Sequence, residues 1–250
     1  MDIPLIKSKL KTVQLGHNIH YLPEVDSTNK WAARFDHCQI GDVFLTDFQT
    51  SGYGRLKRQW ESPRGKNILL TLIDSPPINP AHTPQLTLVT GVAFAKALKK
   101  FELPIILKWP NDLFINKKKL GGILCESTGS QVRIGVGLNI NSTPADFSDS
   151  VKALSTSAFR ELGKNLVLEE VIATCLNEYE KTRHDYSIQG IDPLLKEWEA
   201  LTIVKKTPVK ITDDGRSFEA KYEGVTPDGF LLVQVGDKIE KIMSGDLQFI

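Results

Sequence analysis

Apolar and polar positions along the chain change rhythm several times, and each rhythm predicts an element. The strictest is 132–140, where Val132, Ile134, Val136, Leu138 and Ile140 alternate with Arg133, Gly135, Gly137 and Asn139. Period two is the mark of a strand with one buried face, and the whole strand is expected over 131–141. Runs rich in Val, Ile, Leu and Phe predict further strands over 42–48, 67–73, 105–108, 113–115 and 120–126. Residues 116–118 and 128–130 read as hairpin loops. Helical spacing is clearest from Leu168, where Val171, Ile172, Cys175, Leu176 and Tyr179 complete an amphipathic stripe. Pro76, Pro77, Pro80 and Pro84 punctuate a loop, and a helix over 84–100 follows. That helix is apolar nearly all round (Leu86, Leu88, Val89, Val92, Ala93), which predicts burial. A short helix over 26–36 opens on Asp26 or Ser27, both good N-caps. Another over 193–201 opens on Pro193.

After residue 201 the rhythm shortens. Strands are expected over 207–212, 218–225, 230–235 and 238–243, with turns at Asp213-Asp214-Gly215, Pro227-Asp228-Gly229 and Gly236-Asp237. Such spacing predicts a small barrel of about 45 residues. A boundary near 202–206 divides the chain into 1–203 and 204–250. So small a barrel should lean on the first domain.

Composition narrows the function. With 31 basic and 30 acidic residues the formal net charge is +1, which argues against coating nucleic acid or an anionic membrane; electrostatic recognition must be local. The three cysteines form no C-x-x-C pair and have no zinc-ligand spacing with the five histidines, as in a reducing compartment. No stretch reads as a signal peptide or approaches the roughly 20 apolar residues of a membrane span. A cytoplasmic location is expected.

The charge is concentrated in one place. Between two strands, the segment from Gln49 to Lys66 holds Gly52, Gly54 and Gly65 with Arg55, Lys57, Arg58, Arg64 and Lys66, against a single acid, Glu61. Glycines let backbone N–H groups approach a ligand, and guanidinium forks hold phosphate oxygens. A basic surface loop or a nucleic-acid contact would look similar. It is neither a P-loop, since no G-x-x-x-x-G-K-[ST] occurs, nor a dinucleotide fingerprint, since Lys57 stands at the third glycine position.

Four other segments carry candidate chemistry. Lys108-Trp109-Pro110-Asn111-Asp112 ends a strand, where Asn111 and Asp112 could meet a ligand or Mg²⁺ or simply make a turn. Lys119, before Gly121 and Gly122, stands at the mouth of a strand that runs on to Glu126. Gly135 and Gly137 share a face and leave an open strip, for a ligand or for close packing, with Asn139 beside it. Asp26, Ser27, Thr28 and Asn29 crowd a helix start, where capping alone would explain them.

In this order the segments resemble the biotin protein ligases (biotin–acetyl-CoA-carboxylase ligases), from about Tyr21 to the C-terminus. The matching motifs are Asp26-Ser27-Thr28-Asn29; Gln49-x-x-Gly52-x-Gly54-Arg55-x-x-Arg58-x-Trp60-x-Ser62-Pro63; Lys108-Trp109-Pro110-Asn111-Asp112; Lys119-Leu-Gly-Gly-Ile-Leu; and Gly135-x-Gly137-x-Asn139. The resemblance implies an α+β fold: a mixed sheet flanked by helices, like the class II aminoacyl-tRNA-synthetase and biotin–lipoate ligase cores, with a small C-terminal barrel of Src-homology-3 type. It implies an ATP-dependent ligase that forms biotinyl-5'-AMP and transfers biotin to a lysine of a biotin carboxyl carrier protein, of acetyl-CoA or pyruvate carboxylase type. ATP, Mg²⁺ and biotin would be the small molecules, and the state a monomer or homodimer.

By position, Ser27, Thr28 and Gln49 would hydrogen-bond the biotin ureido ring with help from the Gly52 backbone. Asn29, Tyr53, Arg55, Lys119, Gly121 and Gly122 would complete the biotin site. Arg55 and Arg58 would clamp phosphate, Trp60 would pack on adenine, and Asn111 and Asn139 would line the nucleotide site. Asp112 would face Mg²⁺. Lys119 would touch both the biotin carboxylate and the α-phosphate, leaving Lys119 and Arg55 as the catalytic pair and the glycine-rich loop as a lid.

The chain departs from the pattern in two places. The family loop is often G-R-G-R-R-G-R, and Tyr53, Leu56 and Lys57 here replace Arg, Arg and Gly. Some relatives end G-E-x-x-x-R, whereas Gly245-Asp246 here runs to Ile250 without an arginine. Only about 20 residues precede the first motif, too few for the winged helix-turn-helix of some relatives, so no DNA binding is expected. The rival readings are a lipoate or octanoate ligase, and a non-catalytic nucleotide- or RNA-binding module.

Overall fold

In chain order the elements are α1 (Ile3–Lys9), β1 (Ile19–Leu22), α2 (Thr28–Arg34), β2 (Val43–Thr46), β3 (Ile68–Asp74), α3 (Thr83–Lys99), β4 (Ile106–Lys108), β5 (Asp112–Ile115), β6 (Lys118–Ser127), β7 (Val132–Leu138), α4 (Asp149–Lys152), α5 (Ala158–Leu162), α6 (Leu168–Gln189), α7 (Ile191–Leu201), β8 (Pro208–Asp213), β9 (Arg216–Val225), β10 (Leu231–Val235), β11 (Lys238–Ile242) and β12 (Asp246–Phe249). These come from a computed structural model that describes residues 1–75 and 82–250. Pro76, Pro77 and Pro80 of the expected loop lie outside the described residues.

Seven strands form a mixed sheet in the order β1-β2-β3-β7-β6-β5-β4. The β1–β2 pair is parallel and the other pairs are antiparallel. Strand β3 is buried on both faces. Ile68, Leu70 and Leu72 join the main core, which includes Leu86, Val89 and Phe94 of α3 and Val171, Ile172 and Cys175 of α6. The opposite face of the sheet meets α2, where Phe44 and Ile73 pack with Ala32, Trp31 and Phe35. Helix α3 is buried nearly all round, as its sequence predicts; a Cβ at Gly91 would stand 3.2 Å from the Trp198 ring of α7, so the missing side chain makes room for that contact.

Several local features differ from expectation, each for a physical reason. Helix α2 begins at Thr28 behind Ser27, but the Ser27 side chain makes no capping bond. Gln49 Oε1 accepts the Thr28 N–H instead, at 2.8 Å, so the cap comes from the glycine-rich segment. The β5–β6 hairpin turns on two residues rather than three. Asn116 and Lys117 both have positive φ (49° and 62°), the pattern of a tight hairpin turn. Helix α1 and strand β1 have no strong periodicity of their own. Asp2 caps α1 by accepting the Leu5 N–H at 2.9 Å, and Glu169, Asn177 and Glu180 of α6 bind the backbone of the first fifteen residues.

The C-terminal strands form one antiparallel sheet, β11-β10-β9-β8-β12. Its fifth strand, β12, is the tail that the sequence pattern left unassigned. This sheet leans on the rest of the protein as its size requires. Trp109 Nε1 donates to Gly229 O at 3.0 Å, Gln85 Nε2 to Pro227 O at 2.8 Å, and Phe114 meets Phe249 edge-on at 5.6 Å. Among the described residues no helix is long and apolar enough to cross a membrane.

Candidate functional site

A cleft of about 750 Å³, counted with the open solvent at its mouth, lies on the α2 face of the main sheet. Its floor is built by two paired strands. Gly122 stands opposite Gly137, and Leu124 opposite Gly135. The strip that the two β7 glycines leave open is filled by protein. A Cβ on Gly137 would lie 2.6 Å from Trp60 Cε2, and one on Gly135 would lie 2.6 Å from Asn29 Oδ1. The glycines thus let an indole and an amide lie flat on the sheet.

One end of the cleft is uncharged and rich in hydrogen-bonding groups. Ser27, Thr28, Gln49 and Tyr53 line it. Gln49 Oε1 accepts from Thr28 N (2.8 Å) and Thr28 Oγ1 (3.2 Å). Its Nε2 rests against Gly52, where a Cβ would come within 2.8 Å of it. Gly52 is therefore a support behind Gln49 and does not itself line the cleft. Asn29 does line it, but its amide is spent: Oδ1 accepts from Thr71 at 2.6 Å, and Nδ2 donates to Glu126 at 3.0 Å and to Leu124 O at 3.4 Å. Tyr53 OH donates to the Glu126 carboxylate at 3.0 Å. Burial, then that carboxylate, pushes the Tyr53 phenol up to about 12, so it stays a donor at neutral pH.

The other end is cationic. The glycine-rich segment folds as a stem and tip. Trp60 N donates to Gly52 O, Tyr53 and Gln59 form a bridge, and Gly54 N donates to Arg58 O. The tip is a 3-10 turn at Arg55–Lys57, with Leu56 and Lys57 at positive φ (54° and 57°). Arg55 and Arg58 both line the cleft. Arg55 Nη1 donates to Gly245 O at 3.0 Å and lies 4.0 Å from Asp246, while Arg58 forms an ion pair with Asp246. Burial lowers the Arg55 pKa, and Asp246 and Asp112 oppose that shift.

Lys119 projects from the start of β6, 2.6 Å from Asp112 Oδ1 and 5.6 Å from the centre of the Trp60 ring. Lys108 reaches the other Asp112 oxygen at 3.4 Å. Burial lowers the Lys108 pKa, opposed chiefly by Asp112. Each oxygen of Asp112, the expected Mg²⁺-facing acid, thus lies within ion-pair distance of an ammonium group, although Oδ1 accepts no hydrogen bond. Among the described residues no group of three or more His, Cys, Asp or Glu side chains could hold a metal ion. Asn111 lines the cleft while its Nδ2 donates to Ile123 O at 2.6 Å, which ties the turn to β6.

Three expected site residues do not line the cleft. Gly52 supports Gln49. Gly121 points to the opposite face from Gly122, because neighbours on a strand alternate, and a Cβ there would approach Gly137 O at 2.8 Å. Asn139 lies just past the end of β7 and is buried. It accepts from Asn67 Nδ2 at 3.3 Å and donates to Thr156 O at 3.1 Å, so its amide holds the following loop. Conversely, the cleft contains Gln59, Val136 and Asp246, to which the motifs assign no role. Asp246 carries no mark of its own in the sequence, because the arginines it pairs with, Arg55 and Arg58, lie far away along the chain. Glu126, behind the cleft, was legible only as the third member of the Gly122, Leu124, Glu126 face.

The lining contains no Cys or His among the described residues, so the site offers no thiol or imidazole for covalent catalysis. An uncharged hydrogen-bonding end beside a cationic end instead suits a polar ring carried next to a polyphosphate.

Comparison with known proteins identifies the family. Residues 21–141 match the Biotin/lipoate A/B protein ligase family, and residues 207–249 match the Biotin protein ligase C terminal domain. The chain is 33% identical over 251 residues to the bifunctional ligase/repressor BirA of Bacillus subtilis (strain 168), covering 97% of this chain and 77% of that protein. It is 27% identical over 223 residues to the biotin–[acetyl-CoA-carboxylase] ligase of Paracoccus denitrificans, covering 85% of this chain and 92% of that one. Among solved structures, the biotin protein ligase from Aquifex aeolicus in complex with biotin and ATP superposes with a TM-score of 0.82 at 26% identity, covering 93% of this chain and 98% of that chain. By extent and identity together, the chain belongs to the biotin protein ligase family.

Proposed function

We propose that this protein activates biotin with ATP to form biotinyl-5'-AMP and then transfers biotin to a lysine of a biotin carboxyl carrier protein, of acetyl-CoA or pyruvate carboxylase type. The observation that carries the reading is the two-ended cleft. Ser27, Thr28 and Gln49 stand at one end, and Arg55, Arg58 and Lys119 at the other.

In the first step the biotin carboxylate attacks the α-phosphorus of ATP and pyrophosphate leaves. Two anions must meet, so the site must neutralise charge on the phosphate. Lys119 and Arg55 are the groups assigned to that task, with Arg58 gripping the phosphates and Trp60 flanking the base. The Ser27 hydroxyl, unused in capping α2, and the Gln49 amide are assigned to the ureido ring. In the second step the acceptor amine attacks the acyl carbon and AMP is released. Asp112, held between two lysines, is assigned to orient Lys119 rather than to hold the Mg²⁺ that would accompany ATP. The cleft is assigned to a catalytic unit, 1–203, with the C-terminal unit, 204–250, contributing Asp246.

The test is exchange of pyrophosphate into ATP, followed by transfer to a carrier domain. Exchange that depends on biotin supports the reading. Exchange that depends on lipoate instead, or no exchange with either, overturns it.

A further inference from the structure

We infer that Glu126 is a positioning residue for the biotin end of the site, acting through Tyr53 on the glycine-rich loop and Asn29 on α2. The inference rests on the adenylation reading above. Glu126 does not line the cleft, and what it does is visible in what it holds.

Its placement follows from strand alternation. Gly122, Leu124 and Glu126 share the cleft face of β6, opposite Gly137, Gly135 and Arg133 of β7. The first two pairs include three glycines and leave room above the floor. The third puts a carboxylate at the end of that floor, facing a residue of opposite charge across the ladder.

That carboxylate joins the two walls. Tyr53 OH donates to its oxygens at 3.0 and 3.1 Å, and Asn29 Nδ2 donates to Oε2 at 3.0 Å. Tyr53 is the last stem residue before the tip. It bridges to Gln59, and the next bond, Gly54 N to Arg58 O, closes the turn that carries Arg55. Asn29 follows Thr28, whose N–H and hydroxyl both bond Gln49. A carboxylate only accepts, so it dictates which end of the Asn29 amide faces it. The other end then accepts from Thr71 at 2.6 Å. One side chain thereby fixes the distance between the loop stem and the helix start, and the biotin end of the cleft lies between them.

Replacement by alanine removes both acceptors. Tyr53 OH is left without its partner, and Asn29 Nδ2 keeps only Leu124 O at 3.4 Å. Glutamine retains one acceptor and can offer its amide hydrogen to the Tyr53 oxygen, so it restores much of the geometry. The effect should fall on biotin affinity more than on turnover, because the groups displaced bind the ring rather than the reacting phosphate.

The experiment is steady-state, biotin-dependent pyrophosphate exchange with the full chain, with melting temperature measured on each variant. Expected for Glu126→Ala is a biotin KM raised about ten-fold with kcat within about three-fold. Glu126→Gln should return KM to within about three-fold of the parent. Tyr53→Phe should raise KM by a smaller factor, and Tyr53→Phe with Glu126→Ala should be no worse than Glu126→Ala alone. If the alanine variant fails to fold, the glutamine variant must still be near normal and Tyr53→Phe must still raise the biotin KM. An unchanged biotin KM in both Glu126→Ala and Tyr53→Phe overturns the inference while leaving the function intact. So does a glutamine variant as impaired as alanine, or an additive double variant. A parent protein without biotin-dependent exchange overturns the function, and this inference with it.

Discussion

Lys119→Ala should separate the catalytic role proposed for Lys119 from stability, because the side chain does little for the fold. The backbone at 119 carries the structural contacts: Lys119 N donates to Leu154 O and Thr156 N donates to Lys119 O, both at 2.9 Å, and neither depends on the side chain. Removing the ammonium does not orphan Asp112, which keeps Lys108 at 3.4 Å. The pair itself is partly exposed, with 31% of the Lys119 side chain accessible, and such pairs contribute about 0–1 kcal/mol. The approach to the Trp60 ring at 5.6 Å adds about 0.5–1 kcal/mol. The expected stability loss is therefore about 1 kcal/mol, or about 2–4 °C in Tm for a chain of this size. The expected loss of pyrophosphate exchange is roughly 10²–10³-fold at saturating biotin and ATP, the scale for removing one preorganised group that stabilises developing charge. So large a rate loss cannot come from so small a change in folded population. An exchange rate within about ten-fold of the parent, in a variant that melts normally, would refute the role given to Lys119.

Gly137→Ala should disturb Trp60, since the added Cβ would sit 2.6 Å from the indole; a raised KM for ATP and a changed tryptophan emission are expected, and an unchanged KM would remove Trp60 from the nucleotide site. Lys57→Gly should stabilise the protein by about 0.5–1 kcal/mol, because Lys57 sits at φ 57° where a side chain costs energy and glycine does not; a lower Tm would contradict that conformation. The N-terminal segment should be acid-labile. Burial alone would raise the Glu180 pKa, but the N–H groups of Leu15, Val13 and Gln14 outweigh it and lower the value. A depressed folded-state pKa means a contribution present above the usual carboxylate range and lost as pH falls through the folded value. Glu180→Gln should therefore lower Tm near neutral pH, with a penalty that shrinks on acidification; a penalty independent of pH would show that the charge is not what matters.

The elements that could be read from the chain are those that carry their own pattern. Strand β7 alternates cleanly and α6 has a full apolar stripe, and both stand close to where the pattern put them. Helix α1 and strand β1 were not legible, because seven and four residues held by distant carboxylates and amides leave no periodic trace. The site shows the same divide. Motif residues marked the place, but the partners that orient them lie far away in sequence: Glu126 bonds Tyr53 across 73 positions and Asp246 bonds Arg58 across 188.

The charge count changed most. In the sequence, five cations faced one acid between Gln49 and Lys66. In the structure Arg64 pairs with Glu24, Lys66 pairs with Asp146, and neither they nor Lys57 line the cleft. The cleft keeps Arg55 and Arg58, adds Lys119 from β6, and places Asp246 and Asp112 against them. Three cations against two acids make a site with its charge already oriented and only a modest surplus of its own. A loop of five free cations would bind any polyanion. A site whose cations are aimed by two fixed carboxylates is more selective, and it suits a ligand with phosphates at one end and a neutral hydrogen-bonding ring at the other, the shape of the proposed substrate pair.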